Sequence, residues 1–178
     1  MNKYLMISLL LVGAAFAGRD ITTGTEWNNY AQACCAYATA YGMLDYEYGN
    51  FAIFNGQGCS DDGALLDEAS YLSDVMWGDG EQGLIGYYYD YESACIGAEG
   101  SAECAAAKST LRSRISTAKG IFLNGRMFAY AKARQAVLDN MNHGCGTGRS
   151  SVLNMMTYST GLYNECKSDP IDYCLRRG

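Results

Sequence analysis

One histidine, His143, is the only side chain in the sequence that could serve as an imidazole base in a Ser/His/Asp or Cys/His mechanism. It precedes Cys145 by two residues, so a thiol and an imidazole are close in sequence. In an exported protein that thiol would be oxidised, and a disulfide sulfur is not a nucleophile. The surrounding glycine-rich segment also lacks the lysine of a phosphate-binding P-loop. A secreted hydrolase that uses His143 or carboxylates is therefore the weakest of three functional hypotheses.

Cysteine is the second residue type with chemical potential, and eight cysteines are present. Cys34 and Cys35 are adjacent, and on an α-helix neighbouring side chains diverge by about 100°, so each should bond a different partner. No C-x-x-C spacing typical of a zinc site occurs, and the even number favours up to four disulfides. The predicted disulfide cysteines are Cys34, Cys35, Cys59, Cys95, Cys104, Cys145, Cys166 and Cys174.

Charge is distributed unevenly along the chain. Residues 18–107, the acidic half, contain one basic and 15 acidic residues, whereas residues 108–178, the basic half, contain 11 basic and 4 acidic residues. Together they carry a net charge of −7, which makes nucleic acid a poor partner. In the basic half, Arg112, Lys119 and Arg126 recur every seven residues and share one helix face. They form either a solvated stripe or an interaction site.

The two charged halves also divide the cysteines unequally, five in the acidic half and three in the basic half. If all eight are paired within one chain, at least one disulfide must join the halves. We predict that one member of the Cys34-Cys35 pair makes this link while the other bonds within its own half. The pair would then have an architectural role, as the covalent link between the two halves.

Tyrosine is concentrated in the acidic half, which holds ten of the 14 tyrosines in residues 18–178. In the segment YYYDY, the rings of Tyr87, Tyr88, Tyr89 and Tyr91 would spread over most of a helix circumference. They cannot all face one core, and tyrosine is enriched at protein interfaces. These four are therefore candidate interaction residues, and an amphipathic core helix with two half-buried tyrosines is the equal alternative.

Carboxylates could hold calcium in two places, at Asp61 with Asp62 and at Asp74, Asp79 and Glu81. Neither group has the EF-hand spacing, and helix capping or solvation explains the carboxylates better. Weak Ca²⁺ binding by the acidic half stays an alternative. No other metal and no cofactor is predicted.

Residues 1–17 are predicted to be a secretory signal peptide, with Lys3 at its start, a short apolar run and an A-x-A site ending at Ala17. Residues 18–178 are predicted to form a single disulfide-rich helical domain, long enough to bury a core. No run after the signal is long enough to span a bilayer. The sequence thus predicts a secreted, extracellular protein with no membrane span.

The predicted fold class is mainly α, a compact disulfide-stapled bundle of about five to six helices joined by Gly-rich loops. Thr25 is predicted to cap a first helix that reaches about Gly42 and is followed by a loop with an extended piece at 51–54. Ser101 is predicted to cap a long segment that Gly120 and Asn124-Gly125 interrupt, so that it forms either two helices or one bent helix. A further helix is predicted from Ser60 or Asp61 to Met76, because Leu65, Ala69, Leu72 and Met76 recur at spacings of four, three and four residues. Other helices are predicted over 82–95, from Ser150 or Ser151 to Cys166, and from Pro170, which follows Asp169.

The leading functional hypothesis is a secreted, non-enzymatic structural or interaction protein that associates with itself or with another extracellular protein. Its acidic tyrosine-rich half and its basic half would supply complementary surfaces, unless the two halves pair with each other inside one domain. The second hypothesis is an extracellular carrier of a small apolar ligand. Its adaptable pocket would be lined by Met127, Phe128, Met141, Met155 and Met156.

Overall fold

A computed structural model of the chain describes residues 22–54, 63–79, 81–143 and 149–175, with the side chains of 50–54, 139–143 and 149–151 left out. These ranges contain six α-helices and no β-strand, which confirms the predicted disulfide-stapled helical bundle. None of these helices is both long enough and apolar enough to cross a membrane. The helices are α1 (Gly24–Phe54), α2 (Gly63–Trp77), α3 (Leu84–Cys95), α4 (Ala102–His143), α5 (Arg149–Ser168) and α6 (Pro170–Leu175).

Helix α1 is the central element of the bundle, because α2, α4, α5 and α6 all pack against it. Its side chains are buried around most of its circumference, as expected for a helix enclosed by others. Small residues such as Ala33 and Ala40, both fully buried, allow these neighbours to approach closely. Large side chains such as Tyr30 and Leu44 fill the spaces between them.

The predicted end of α1 near Gly42 is wrong, as is the predicted loop that follows, because the helix continues to Phe54. Gly42 lies where α1 crosses α5, and a Cβ atom there would collide with the side chain of Leu162. The glycine therefore provides space for a neighbouring helix. Beyond it, Met43 and Leu44 are buried, so the helix remains part of the core.

Helix α4 is one continuous helix of 42 residues, so of the two predicted alternatives the division into two helices is wrong. Ser101 caps it as predicted, because its Oγ accepts a hydrogen bond from the backbone N–H of Cys104 at 3.0 Å. Gly125 is buried against Leu72 of α2, where an added Cβ would lie 2.7 Å from Leu72 Cδ1. This glycine too permits a close helix contact and does not interrupt the helix.

Three disulfides lie within the described residues: Cys34–Cys174, Cys35–Cys166 and Cys95–Cys104. The prediction that at least one disulfide joins the acidic and basic halves is confirmed. The prediction that one of the paired cysteines bonds within its own half is wrong, because both reach the basic half. The remaining two, Cys59 and Cys145, lie outside the described residues.

Both paired cysteines reach the basic half because α5 and α6 form one hairpin on α1. Asp169 Oδ1 accepts a hydrogen bond from the N–H of Asp172 at 3.0 Å and starts α6 at Pro170, as predicted. This tight turn brings Cys166 Sγ within 3.7 Å of Cys174 Sγ. Two adjacent sulfurs on α1 therefore meet two neighbouring sulfurs on the hairpin.

Candidate functional site

The predicted tyrosine cluster on α3 is divided between core and surface. Tyr88 is fully buried, and its ring stacks on that of Tyr30 with 4.4 Å between centroids. Tyr91 is also buried, whereas Tyr87 is half-buried and Tyr89 is 45% exposed. The structure thus places two of the four predicted interaction residues in the core and leaves mainly Tyr89 at the surface.

The pKa values of two buried tyrosines, Tyr30 and Tyr88, are strongly raised. Burial raises the pKa of Tyr30 well above its usual value of 10, and neighbouring Tyr89 and Glu92 raise it further. Burial, and to a smaller extent the nearby Glu92, also raises the pKa of Tyr88. The hydroxyl of Tyr30 donates a hydrogen bond to the backbone carbonyl of Cys174 at 3.0 Å, which ties α1 to α6. These hydroxyls are structural groups that must stay neutral in the folded protein.

We therefore expect the protein to lose stability in alkaline solution. A phenol whose pKa is raised by folding contributes full stability below its unfolded pKa near 10 and loses that contribution as the pH rises toward the folded value. Above pH 10 each such tyrosine should lower the free energy of unfolding by about 1.4 kcal/mol per pH unit. Urea unfolding between pH 8 and about pH 11 measures the slope. Tyr88→Phe should reduce it and exposed Tyr89→Phe should not; equal slopes in all three proteins would contradict the assignment.

Two members of the predicted basic stripe on α4 contact polar side chains of α1. Arg112 forms an ion pair with Glu26, whose side chain is only 9% exposed. Lys119 donates a hydrogen bond from Nζ to Gln32 Oε1 at 3.1 Å. Arg126 is half-buried, and its Nε has no hydrogen-bond partner in the described part of the chain. At this contact the acidic and basic halves pair within the molecule, so Arg112 and Lys119 are partly engaged internally.

The residues of the two weaker hypotheses do not assemble into one site. Met155 is fully buried, whereas Met127 and Met156 are 61% and 37% exposed, so these three do not line a common enclosed cavity. Phe128 is half-buried beneath Lys132, whose Nζ lies 5.5 Å from the ring centroid. The side chains of Met141 and His143, together with Cys145, lie outside the described residues.

Metal-ligand geometry within the described ranges occurs only at cysteines. The one group of three or more potential ligands with atoms within 4.8 Å of one another is Cys34, Cys166 and Cys174, and all three are oxidised in disulfides. The carboxylates of Asp74, Asp79 and Glu81 surround one cleft without converging to that degree. Asp61 and Asp62 lie outside the described residues. Weak calcium binding therefore stays a prediction.

A large exposed apolar surface lies on α4, on the side away from its core stripe. Its members recur at helical spacings of four, three and eight residues, with exposed Arg134 among them. We call this surface the α4 outer face. Its apolar members are Leu123, Met127, Tyr130 and Leu138, which are 55%, 61%, 45% and 47% exposed.

The sequence analysis did not predict this face, because the same helix carries a more prominent apolar stripe, which is buried in the core. Ile115 and Phe122 define that stripe, and both are buried. Two apolar stripes on one helix exceed what a single core requires. The signal was present as a second set of large apolar residues with helical spacing, about a third of a turn from the first.

Helix α2 exposes a smaller surface of opposite charge. Leu66 and Tyr71 are each 49% exposed and lie about 140° apart around the helix, and exposed Asp67 lies between them on its outward side. We call these three residues the α2 outer face. It combines apolar area with a carboxylate, as the α4 outer face combines apolar area with the guanidinium of Arg134.

No family model, no curated protein and no solved structure matches this chain. Fold and surface therefore carry the functional argument: a disulfide-stapled helical bundle with two exposed apolar faces of opposite charge.

Proposed function

We propose that this chain is a secreted, non-enzymatic protein that works by self-association, with the α4 outer face as its principal contact surface. The observation that carries the proposal is the run of four large apolar side chains, all 45–61% exposed, on one side of a single continuous helix. Contiguous exposed apolar surface typically marks an association site. The predicted signal peptide and the three disulfides support an extracellular setting.

Association would bury the apolar side chains of the α4 outer face, which are about half exposed in the folded monomer. Burying the exposed part of each should contribute roughly 1 kcal/mol, half of what complete burial of a large apolar side chain provides. The spacing of Leu123, Met127 and Tyr130 is that of a coiled-coil seam, which suits packing against another helix. A helix of 42 residues, about 63 Å long, carries this seam without interruption.

Charge complementarity favours the α2 outer face of a second copy as the surface that packs against the α4 outer face. Arg134 makes no ion pair with the described residues, so its charge is available to a partner. Pairing two α4 outer faces would place two such guanidinium groups in one interface, whereas the α2 outer face offers the carboxylate of Asp67. A contact between two different surfaces is heterologous, and it propagates as a filament or closes as a ring.

Sedimentation velocity of the mature protein across a salt series tests the proposal. We expect oligomers at about 20 mM NaCl that weaken but persist at about 500 mM, because salt screens only the contribution of the Arg134–Asp67 pair, at most about 1 kcal/mol, and leaves the apolar contact in place. Met127→Ser should weaken association by about threefold to tenfold. Leu153→Ser on α5 is the matched control, because Leu153 is also 61% exposed but lies outside the α4 outer face.

Charge reversal identifies the partner surface. Arg134→Glu should weaken association, and adding Asp67→Arg to the same chain should restore it. Failure of the second substitution to restore association would exclude the α2 outer face while leaving self-association in place. A protein that stays monomeric at low salt and high concentration would contradict the whole proposal.

A further inference from the structure

A cleft of about 420 Å³ opens between α2, α3 and α4, on a different side of α4 from the outer face. This volume lies within the range of small-molecule sites. Tyr87 and Tyr71, the latter shared with the edge of the α2 outer face, contribute aromatic walls, and Leu84 and Ala118 at its base are buried. The aliphatic residues that line it are Val75, Leu84, Ala118 and Ile121.

The rim of the cleft is strongly acidic. Asp74, Asp79 and Glu81 line it and are all exposed, and none of them forms an ion pair within the described part of the chain. The single basic residue in the lining, Arg114, lies over the ring of Tyr87 at 4.6 Å from its centroid. Three carboxylates and one guanidinium leave the cleft with a net charge of −2.

Two glycines hold the acidic loop in place at the mouth of the cleft. Gly78 ends α2 with φ +88°, a conformation that favours glycine, and its N–H donates to the carbonyl of Asp74 at 2.8 Å. A Cβ at Gly83 would collide with the backbone of Trp77, so the two ends of the loop are in close contact. Asp79 and Glu81 thus project from a short loop whose ends are fixed to each other.

We propose that this cleft binds an organic cation with an apolar body, such as an arylalkyl or alkyl ammonium compound. The aliphatic base and the tyrosine rings accommodate the apolar body, while the acidic rim attracts the ammonium group. A bare divalent cation fits less well, because the three carboxylates do not converge within 4.8 Å of one another. An organic anion of the same size would meet a net negative rim with its only guanidinium already against Tyr87.

Isothermal titration calorimetry with two probes of similar shape and opposite charge tests this site. The mature, disulfide-bonded protein is titrated with 4-phenylbutylammonium and with 4-phenylbutanoate, at a protein concentration where sedimentation gives a single species. We expect saturable 1:1 binding of the ammonium compound and at least about tenfold weaker binding of the carboxylate. The double substitution Asp79→Asn/Glu81→Gln should weaken ammonium binding by about threefold to tenfold.

Asp45→Asn is the matched control, because Asp45 is an exposed acid on α1 that does not line the cleft. It should leave the affinity unchanged within about twofold after correction for ionic strength. Three results would overturn the proposal: no saturable binding of the ammonium probe, equal affinity for the two probes, or an affinity that is the same in the double variant and the wild type. All substituted acids are exposed, and circular dichroism verifies that each variant is folded.

Discussion

Replacing Cys35 and Cys166 together by serine is expected to lower the free energy of unfolding by only about 3 kcal/mol, although their bond spans 131 residues. The neighbouring Cys34–Cys174 bond still closes nearly the same loop, so only roughly ten residues gain freedom in the unfolded chain. Removing Cys34 and Cys174 as well should then cost a further 4–5 kcal/mol, because the long loop is finally opened. The two disulfides are thus expected to be strongly non-additive.

Denaturant unfolding of the single-bond and double-bond variants measures this coupling. Cys95→Ser/Cys104→Ser is the control, because that bond closes a separate loop of 9 residues between α3 and α4. Its cost, about 2.5 kcal/mol, should be the same in every background. If each of the two long-range bonds cost 4–5 kcal/mol when removed alone, the shared-loop explanation would be wrong.

A non-reducing peptide map establishes the pairing on which this prediction depends. Because Cys34 and Cys35 are adjacent, fragmentation must cleave the peptide bond between them to distinguish their partners. With three bonds assigned, Cys59 and Cys145 are the only cysteines left to pair within one chain. A bond from Cys35 to Cys174 would contradict this pairing.

Tyr88→Ala and Tyr89→Ala are expected to differ by several kcal/mol, although the two residues are neighbours of the same type. Tyr88 is fully buried between Trp27 and Tyr30, so its removal leaves a cavity and should cost about 3–5 kcal/mol. Tyr89 is 45% exposed and its ring centroid lies 6.4 Å from that of Tyr88, so its truncation should lower the free energy of unfolding by only about 1 kcal/mol.

Thermal or urea unfolding of both variants provides the comparison, and sedimentation of the folded proteins extends it to function. If Tyr89→Ala abolished self-association, the exposed ring on α3 would be part of the interface and the α4 outer face would not suffice. Similar destabilisation by the two substitutions would contradict the placement of Tyr88 in the core.

Local features of the sequence were sufficient to predict the helices and several of their ends. The spacing of Leu65, Ala69, Leu72 and Met76 predicted α2, and all four are buried. Ser101 and Asp169 cap helices as their side chains predict. Such signals act within one or two turns and need no partner, so they can be recognised without the tertiary fold.

The helix interruptions predicted at glycines were wrong, because the effect of a glycine on a helix depends on which side chains pack against it. Gly42 and Gly125 suggested interruptions, yet each lies where another helix approaches α1 or α4 too closely for a Cβ atom. A glycine in a helix costs about 1 kcal/mol relative to alanine, an amount that tertiary packing readily outweighs. Only the neighbouring side chains, Leu162 and Leu72, distinguish a close crossing from a break.

The sequence by itself determined a helical, cysteine-paired chain with an acidic and a basic half, because composition, periodicity and charge are properties of the chain before it folds. The tertiary structure alone decided that both adjacent cysteines bond the α5–α6 hairpin, since pairing depends on which helices meet. It likewise decided which of the two apolar stripes on α4 is covered by α1 and which is left exposed. The local geometry of a helix determines which side chains share a face. Which face is buried depends on long-range contacts that no local pattern specifies.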